Sequence, residues 1–267
     1  MVIVTTEGNQ KKLHRILRSV RSEVLTKLID RYIIWSNKNK ILNFGRKEII
    51  PLDLPSHTIN ENKRLWNTYD WSRSGEEWTF HAKLYKGLDP DAWKRSLINE
   101  VMLKYIKKGS TILEIGPGAG RWTEILVGLA DSLILVDISK KCLDLCKERF
   151  KNYNNIRYIL TEGQLDFIQD NSIDYIWSYD VFVHINPTDI RTYLRDIRRI
   201  LKPQGYGIIH HSGQYDDNKT RERGFRSYMT SELFASWVTD NGMKMVEQGS
   251  KLVHIPGDVV SVFFRPG

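Results

Sequence analysis

A doubly wound α/β fold with a mostly parallel sheet of seven strands is what this sequence predicts, and three observations predict it. The stretch 111–123 reads TILEIGPGAGRWT, a short apolar strand running straight into glycines at every second position, Gly116, Gly118 and Gly120. A second apolar run, 133–136, ends in the acid Asp137 and is followed by Ser139 and a helical pattern to about 150. From there short apolar runs at 157–160, 173–177 and 206–210 alternate with helical patterns, and two β-rich runs, 243–253 and 259–264, close the chain around Pro256-Gly257.

The glycines permit positive φ and let a ligand approach the main chain, and the run 121–130 resumes helical spacing at Trp122, Ile125, Leu126 and Leu129. A strand, a glycine turn and a helix start make a nucleotide-type cradle with free N–H groups facing the ligand. The acid Glu114, two residues before the first glycine, decides which nucleotide. A dinucleotide site is spaced G-x-G-x-x-G and seats a pyrophosphate, which an adjacent carboxylate repels. The spacing here is G-x-G-x-G, and a ligand with a positive charge and no phosphate fits better. S-adenosylmethionine, a sulfonium carrying an ammonium group, is such a ligand. Asp137, at the tip of the second strand, is placed to accept both ribose hydroxyls.

The residues E-I-G-P-G-A-G resemble the first motif of class I S-adenosylmethionine-dependent methyltransferases. The resemblance implies a Rossmann-like sheet in which a last, reversed strand is inserted among parallel ones. It also implies that Gly163, Gln164 and Leu165 meet the adenine, that Ser178 and Tyr179 lie beside the methionine part, and that Ile138 is among the cofactor-binding residues. L-K-P-Q-G at 201–205 is similar to the family's L-K-P-G-G turn, with Gln204 in place of a glycine. W-N-T-Y-D-W-S, G-E-E-W, Y-D-V-F-V-H-I and I-I-H-H-S-G, taken together over about 62–264, resemble bacterial methyltransferases of sugar and surface-polysaccharide clusters. That likeness implies O-methylation of a sugar hydroxyl.

Composition bounds the rest. With 267 residues and 41% apolar content the chain can bury a sizeable core. No run of eighteen apolar residues occurs and the N-terminus has too short an apolar part for a secretory signal, so a cytoplasmic protein is expected, possible contact with the inner membrane face included. Residues 1–47 carry a net charge of +8 while 48–267 sum to zero, which argues against a nucleic-acid substrate in the catalytic half. Cys142 and Cys146 are expected to pack in the core.

Two domains are expected, a basic helix and linker over 1–61 and the catalytic domain over 62–267. In the first, Leu13, Ile16, Leu17, Val20, Val24 and Leu28 mark an amphipathic helix at 10–35 that packs on its own domain or a second subunit, sits on a membrane surface, or binds a polyanion. Residues 37–62 read as a linker or strap. In the second, 62–80 is dense in aromatics around Gly75, and Trp66, Tyr69, Trp71 and Trp78 follow neither helical nor strand spacing. They form either a hydrophobic plug or, as expected here, a cap over 62–88 that closes on the cofactor, with Trp71 and Trp122 among its contacts.

Methyl transfer to a hydroxyl needs a base near the donor, and the polar groups at the ends of strands four and five are the candidates. Asp180 and His184 are four apart, as a helical turn would pair them. Of His210 and His211 only one faces the site, and His211, nearer the strand end, is the expected base, with His210 packed. A divalent metal on Asp180, His184 and His211 is the lesser alternative, and no metal is expected. Competing readings are a small-molecule methyltransferase acting on nitrogen or another hydroxyl, a scaffold that keeps the cofactor fold without turnover, and an RNA methyltransferase.

Overall fold

The computed structural model describes residues 53–213 and 226–267. The basic helix expected at 10–35, the linker up to residue 52 and nearly all of the polar stretch 216–226 lie outside these. Seven strands form one sheet in the order β3-β2-β1-β4-β5-β7-β6, where β1 is Ser110–Ile115, β2 Ala130–Asp137, β3 Ile156–Leu160, β4 Ile173–Ser178, β5 Leu201–Ser212, β6 Lys244–Gly249 and β7 Asp258–Phe264. Every pairing is parallel except those of β7, which runs antiparallel to both β5 and β6. The predicted architecture and its reversed last strand are therefore present. Strand order turns at the β1–β4 pair, and in open α/β sheets the ligand crevice lies outside the carboxyl ends at that point.

Side chains alternate across the sheet and fill two cores. Ile112, Leu133, Leu135, Trp177, Tyr179 and Ile208 face one side. There they meet α2 (His81–Lys86), α3 (Pro90–Leu97), α4 (Thr123–Leu129) and α5 (Lys140–Arg149) through residues such as Ala82, Trp93, Leu97, Leu126 and Leu143. Leu113, Ile115, Ile134, Ile176 and Ile209 face the other side, covered by α6 (Pro187–Ile200) and α7 (Ser231–Asp240) through Ile190, Leu194, Ile197 and Phe234. Cys142 and Cys146 are buried and free, and burial drives both thiols well up. Side chains cap the helix starts: Ser139, as expected, accepts the Cys142 N–H at 3.2 Å, and Asp89 accepts that of Ala92 at 2.8 Å.

Two details differ from expectation. β5 begins at Leu201, so the L-K-P-Q-G segment is part of the strand, and Gln204 takes φ +66 where a glycine would be unstrained. The strap also ends earlier than expected, because α1 spans Ile59–Thr68 and the domain boundary drawn between 61 and 62 falls inside it. α1 is tied by two asparagines. Asn62 donates to the carbonyl of His184 at 2.8 Å, and Asn67 Oδ1 accepts from Ser139 Oγ at 3.1 Å. One end is thereby fixed to the loop after β4 and the other to the start of α5, so α1 bridges the carboxyl edge of the sheet.

Candidate cofactor and acceptor site

A cavity opens at that edge. Its floor is Ile115, Gly116, Gly118, Val136, Asp137, Ile138 and Thr161; Asp180, Val181, His184, Ile185 and Tyr193 form a wall, and Ile59, Asn62, Trp66, Trp71 and Trp78 roof it. The expected cap is thus in place. Its rings hold one another, Trp66 lying 6.0 Å from Trp71 and 5.9 Å from Trp78, and Trp78 stacking on Tyr69 at 5.0 Å. The cap is locked to the glycine loop at Gly75, whose carbonyl accepts from Arg121 Nε, and whose φ of +93 with Arg121 N only 3.1 Å from a would-be Cβ leaves no room for a side chain.

The cradle fits S-adenosylmethionine. Gly116 and Gly118 line the floor at positive φ, and a Cβ at Gly116 would stand 2.4 Å from Val181 and one at Gly118 3.1 Å from the Trp71 ring, so only glycine lets the wall and the roof close down on this loop. Asp137 accepts the Ser139 N–H at 2.8 Å and faces the cavity, where ribose hydroxyls need an acceptor. Burial pushes its carboxyl up to about 6, against the pull of those backbone donors.

Of the residues expected to bind cofactor, Trp71, Gly116, Gly118, Asp137 and Ile138 line the cavity. The others do not, each for a visible reason. Glu114 is 1% exposed and accepts the Thr123 hydroxyl at 2.6 Å, fixing the start of α4 from beneath; burial raises its carboxyl to about 8. Gly120 makes room for Phe150, whose ring would stand 2.5 Å from a Cβ, and Gly163 makes room for Ile59, 2.7 Å from its own. Gln164 is exposed, and Leu165 is fully buried with its N–H on Asp196. Thr161, not foreseen, lines the cavity in that region. Trp122 packs in the core on Trp177 and Tyr179, at 5.6 and 5.2 Å. Ser178 donates to the Ile115 carbonyl at 2.9 Å, and Tyr179 stacks on His210 at 4.1 Å.

The catalytic expectations divide the same way. Asp180 and His184 line the cavity, but a helical turn does not pair them: Asp180 has φ +61 and His184 ends a 3-10 turn, Phe182–His184. Asp180 is held ionised, well below the usual carboxylate range: burial opposes its charge, but His254, His210 and Arg121 outweigh that. Burial lowers His184 to about 3, so its ring is neutral at physiological pH.

His211 is the main correction. It is fully buried on the opposite face, stacked on Phe234 at 3.9 Å, with Nδ1 on the Ser212 carbonyl and Nε2 on Ser261 Oγ, each at 2.7 Å. Its partners satisfy both nitrogens, and it stands apart from Asp180 and His184, so the three cannot share a metal ion. His210, expected to be packed, is the one beside Asp180, its Nδ1 3.4 Å from Asp180 Oδ1. Sequence reasoning also missed His254 and Asp258, whose place depends on a hairpin far along the chain.

A family model described as a methyltransferase domain matches residues 112–205. Demethylmenaquinone methyltransferase of Tropheryma whipplei is 34% identical over 104 residues, covering 39% of this chain and 42% of that protein. Phosphoethanolamine N-methyltransferase 1 of Triticum aestivum is 26% identical over 148 residues, 53% of this chain and 29% of that one. The chain spans less than half the length of these curated relatives. Among solved structures, the N-methyltransferase NodS of Bradyrhizobium japonicum with S-adenosyl-L-homocysteine aligns with TM-score 0.54 and 19% identity, over 66% of this chain and 88% of that one. A SAM-dependent methyltransferase of Methanosarcina mazei aligns with TM-score 0.54 and 14% identity, over 62% and 97%. The fold is that of class I methyltransferases, and the cavity lies where the carboxyl ends of its central strands meet.

Proposed function

We propose that the chain transfers the methyl group of S-adenosylmethionine to a hydroxyl of a sugar or polysaccharide. The observation that carries this reading is the pairing, on one cavity wall, of an ionised carboxylate with a neutral imidazole, under an aromatic roof. When bound, the cofactor supplies an electrophilic methyl on sulfur. Gly116 and Gly118 form the turn it lies against, Asp137 takes its ribose hydroxyls, and Trp71 and Trp78 keep water away. Asp180 accepts a hydrogen bond from the acceptor hydroxyl and aims its oxygen along the line of displacement. His184 takes the proton. An oxygen that is gaining a third substituent, and with it positive charge, becomes strongly acidic, so an imidazole with a low pKa suffices as base. Indole faces of Trp66 and Trp78 suit the apolar face of a sugar ring.

A second reading, a small-molecule N-methyltransferase, is favoured by the same ionised Asp180 under aromatic rings, which would also seat an ammonium. The relatives that methylate nitrogen by name are consistent with it.

Titration calorimetry with S-adenosyl-L-homocysteine, followed by tritiated methyl transfer to nucleotide sugars, oligosaccharides, small amines and RNA, tests the proposal. Micromolar binding and label on carbohydrate support it. Label on amines alone moves the assignment to nitrogen, and no binding ends both readings. The basic segment 10–35 is proposed to aid self-association or membrane contact; its removal should change sedimentation or vesicle binding without changing cofactor affinity.

A further inference from the structure

Behind Asp180 lies a buried polar chain that the cavity itself does not require. Its carboxylate is held on three sides: Arg121 Nη1 is 3.0 Å from Oδ2, and His210 Nδ1 and His254 Nε2 are each 3.4 Å from Oδ1. The Asp180 N–H also donates to His210 Nδ1 at 3.1 Å. The other nitrogen of His210, Nε2, is 3.3 Å from Asp258 Oδ2, and Asp258 is in turn gripped by Arg226, Nη2 to Oδ2 at 2.9 Å and Nε to Oδ1 at 3.1 Å. Tyr179 completes the packing, its ring on His210 and its hydroxyl 3.4 Å from His254 Nδ1. His210 is fully buried, Asp258 is 2% exposed and His254 1% exposed, and of these residues only Asp180 reaches the cavity.

Such a chain is a poor way to gain stability. Desolvating two carboxylates and two guanidinium groups consumes most of what their attraction returns, and well-packed apolar residues commonly do as well. The backbone at Asp180 adds to the expense with φ +61, a conformation that persists in an aspartate where its surroundings enforce it. Topology supplies the far end of the chain. Because β7 runs backwards, its first residue, Asp258, pairs with Ser212 at the carboxyl end of β5, on the cavity's edge of the sheet. A parallel strand in that place would bring its last residue there instead.

We infer that His210 and Asp258 are positioning residues for methyl transfer, holding the Asp180 carboxylate against the cavity so that it orients the acceptor group. The inference rests on the methyltransferase reading above and adds the C-terminal hairpin to its machinery. Neither residue touches a reactant. His210 sits between two carboxylates with a nitrogen toward each, so it transmits the fixed place of Asp258 to Asp180. Burial disfavours charge on His210, but the two carboxylates outweigh it and raise its pKa, and a protonated ring turns Nδ1 from acceptor of the Asp180 N–H to donor toward Oδ1. Without His210, Asp180 keeps Arg121 as its strongest partner and pivots about that contact, away from its place in the cavity wall.

Asp258→Asn and His210→Phe, with His210→Asn as the conservative variant and His211→Phe as a control on the opposite face, test this. With the acceptor found by the label-transfer screen, Asp258→Asn is expected to lower kcat 10–100-fold and raise the acceptor KM, with affinity for S-adenosyl-L-homocysteine within twofold. His210→Asn, whose amide can still meet the Asp180 N–H, is expected to regain at least fivefold of the kcat lost in His210→Phe, while His211→Phe stays within twofold of the parent. A crystal structure of Asp258→Asn with S-adenosyl-L-homocysteine reads the geometry without any acceptor, and the Asp180 carboxylate should move by more than 1 Å from its parental place while it keeps its contact with Arg121. An unmoved carboxylate, unchanged kcat and KM in Asp258→Asn and His210→Asn, or an affinity loss as large as the loss in kcat would overturn the inference. Parent enzyme that binds no S-adenosyl-L-homocysteine overturns the functional reading instead.

Discussion

His210 and His211 are neighbours on one strand, both fully buried, and they live in different chemistry. His210 faces Tyr179, Asp180 and Asp258, while His211 faces Phe234 and two neutral oxygens from Ser212 and Ser261. The same contrast runs along the whole carboxyl edge. One side of the sheet gathers Trp177, Tyr179 and the ion chain, and the other gathers Ile176, Ile209 and Phe263 around α6 and α7. A histidine is therefore interpreted by the face it occupies, since its own residue type is the same in both. Burial alone makes His211 neutral and inert, whereas burial beside two carboxylates makes His210 part of a working network.

The largest effect expected from this contrast is at His184, the imidazole that lines the cavity. His184→Ala should lower kcat about 100–1,000-fold, the range that general-base catalysis supplies. Affinity for S-adenosyl-L-homocysteine should change less than threefold, and stopped-time label transfer together with calorimetry measures both. A variant with near-parental turnover would shift the reading toward an acceptor that needs no base. Next in size is Trp71, whose ring covers Gly118. Trp71→Ala should weaken cofactor affinity about 10–30-fold, as the loss of one buried aromatic contact implies. A matching truncation of Trp237, on the far side, should leave affinity unchanged and show only in the melting temperature.

The strands, most of the helices and the glycine cradle were legible because their signals are local. Apolar runs, caps and glycines each act within a few residues, and all seven strands came out in place. α1 was missed because INENKRLWNT has little apolar periodicity; its place depends on Asn62 and Asn67 reaching distant backbone and side-chain groups. The His210/His211 choice failed for a related reason. Alternation says that the two point apart, but which face meets the cavity is set by pairing with β7, fifty residues on. Glu114 misled because its position beside the cradle is legible, whereas its carboxyl turns to Thr123 below the floor.

On the opposite face, His211 adds a pH dependence that can be removed without touching the cavity. Burial lowers His211 to about 3, so the unfolded chain takes up a proton near pH 6.5 that the folded chain refuses until much lower pH. Stability held above pH 6.5 is thus lost as pH falls toward 3. His211→Phe removes that share of the slope. Its melting temperature should fall less than the parent's between pH 7.5 and 5, by the equivalent of about 1–2 kcal/mol, with methyl transfer unaffected. A slope equal to the parent's would mean that His211 takes up its proton in the folded protein, and the contrast between the faces would weaken.

At Glu114 the sign of the pH effect is reversed. Burial raises this carboxyl to about 8 from an ordinary 4.5, although the Thr123 hydroxyl pulls it down. Between those two values the folded chain holds a proton that the unfolded chain releases, so stability declines as pH rises from 4.5 to 8. Glu114→Gln fixes the side chain in the equivalent of its protonated form, and the amide oxygen still accepts from Thr123. Parent and variant should melt within a degree of each other at pH 5, and at pH 8.5 the variant should be the more stable by a few degrees in differential scanning calorimetry. If the parent were instead the more stable at pH 8.5, the carboxylate would be gaining a cationic partner as it ionises. Glu114 would then belong to the charged side of the molecule with Asp180, rather than to the neutral packing beneath the cradle.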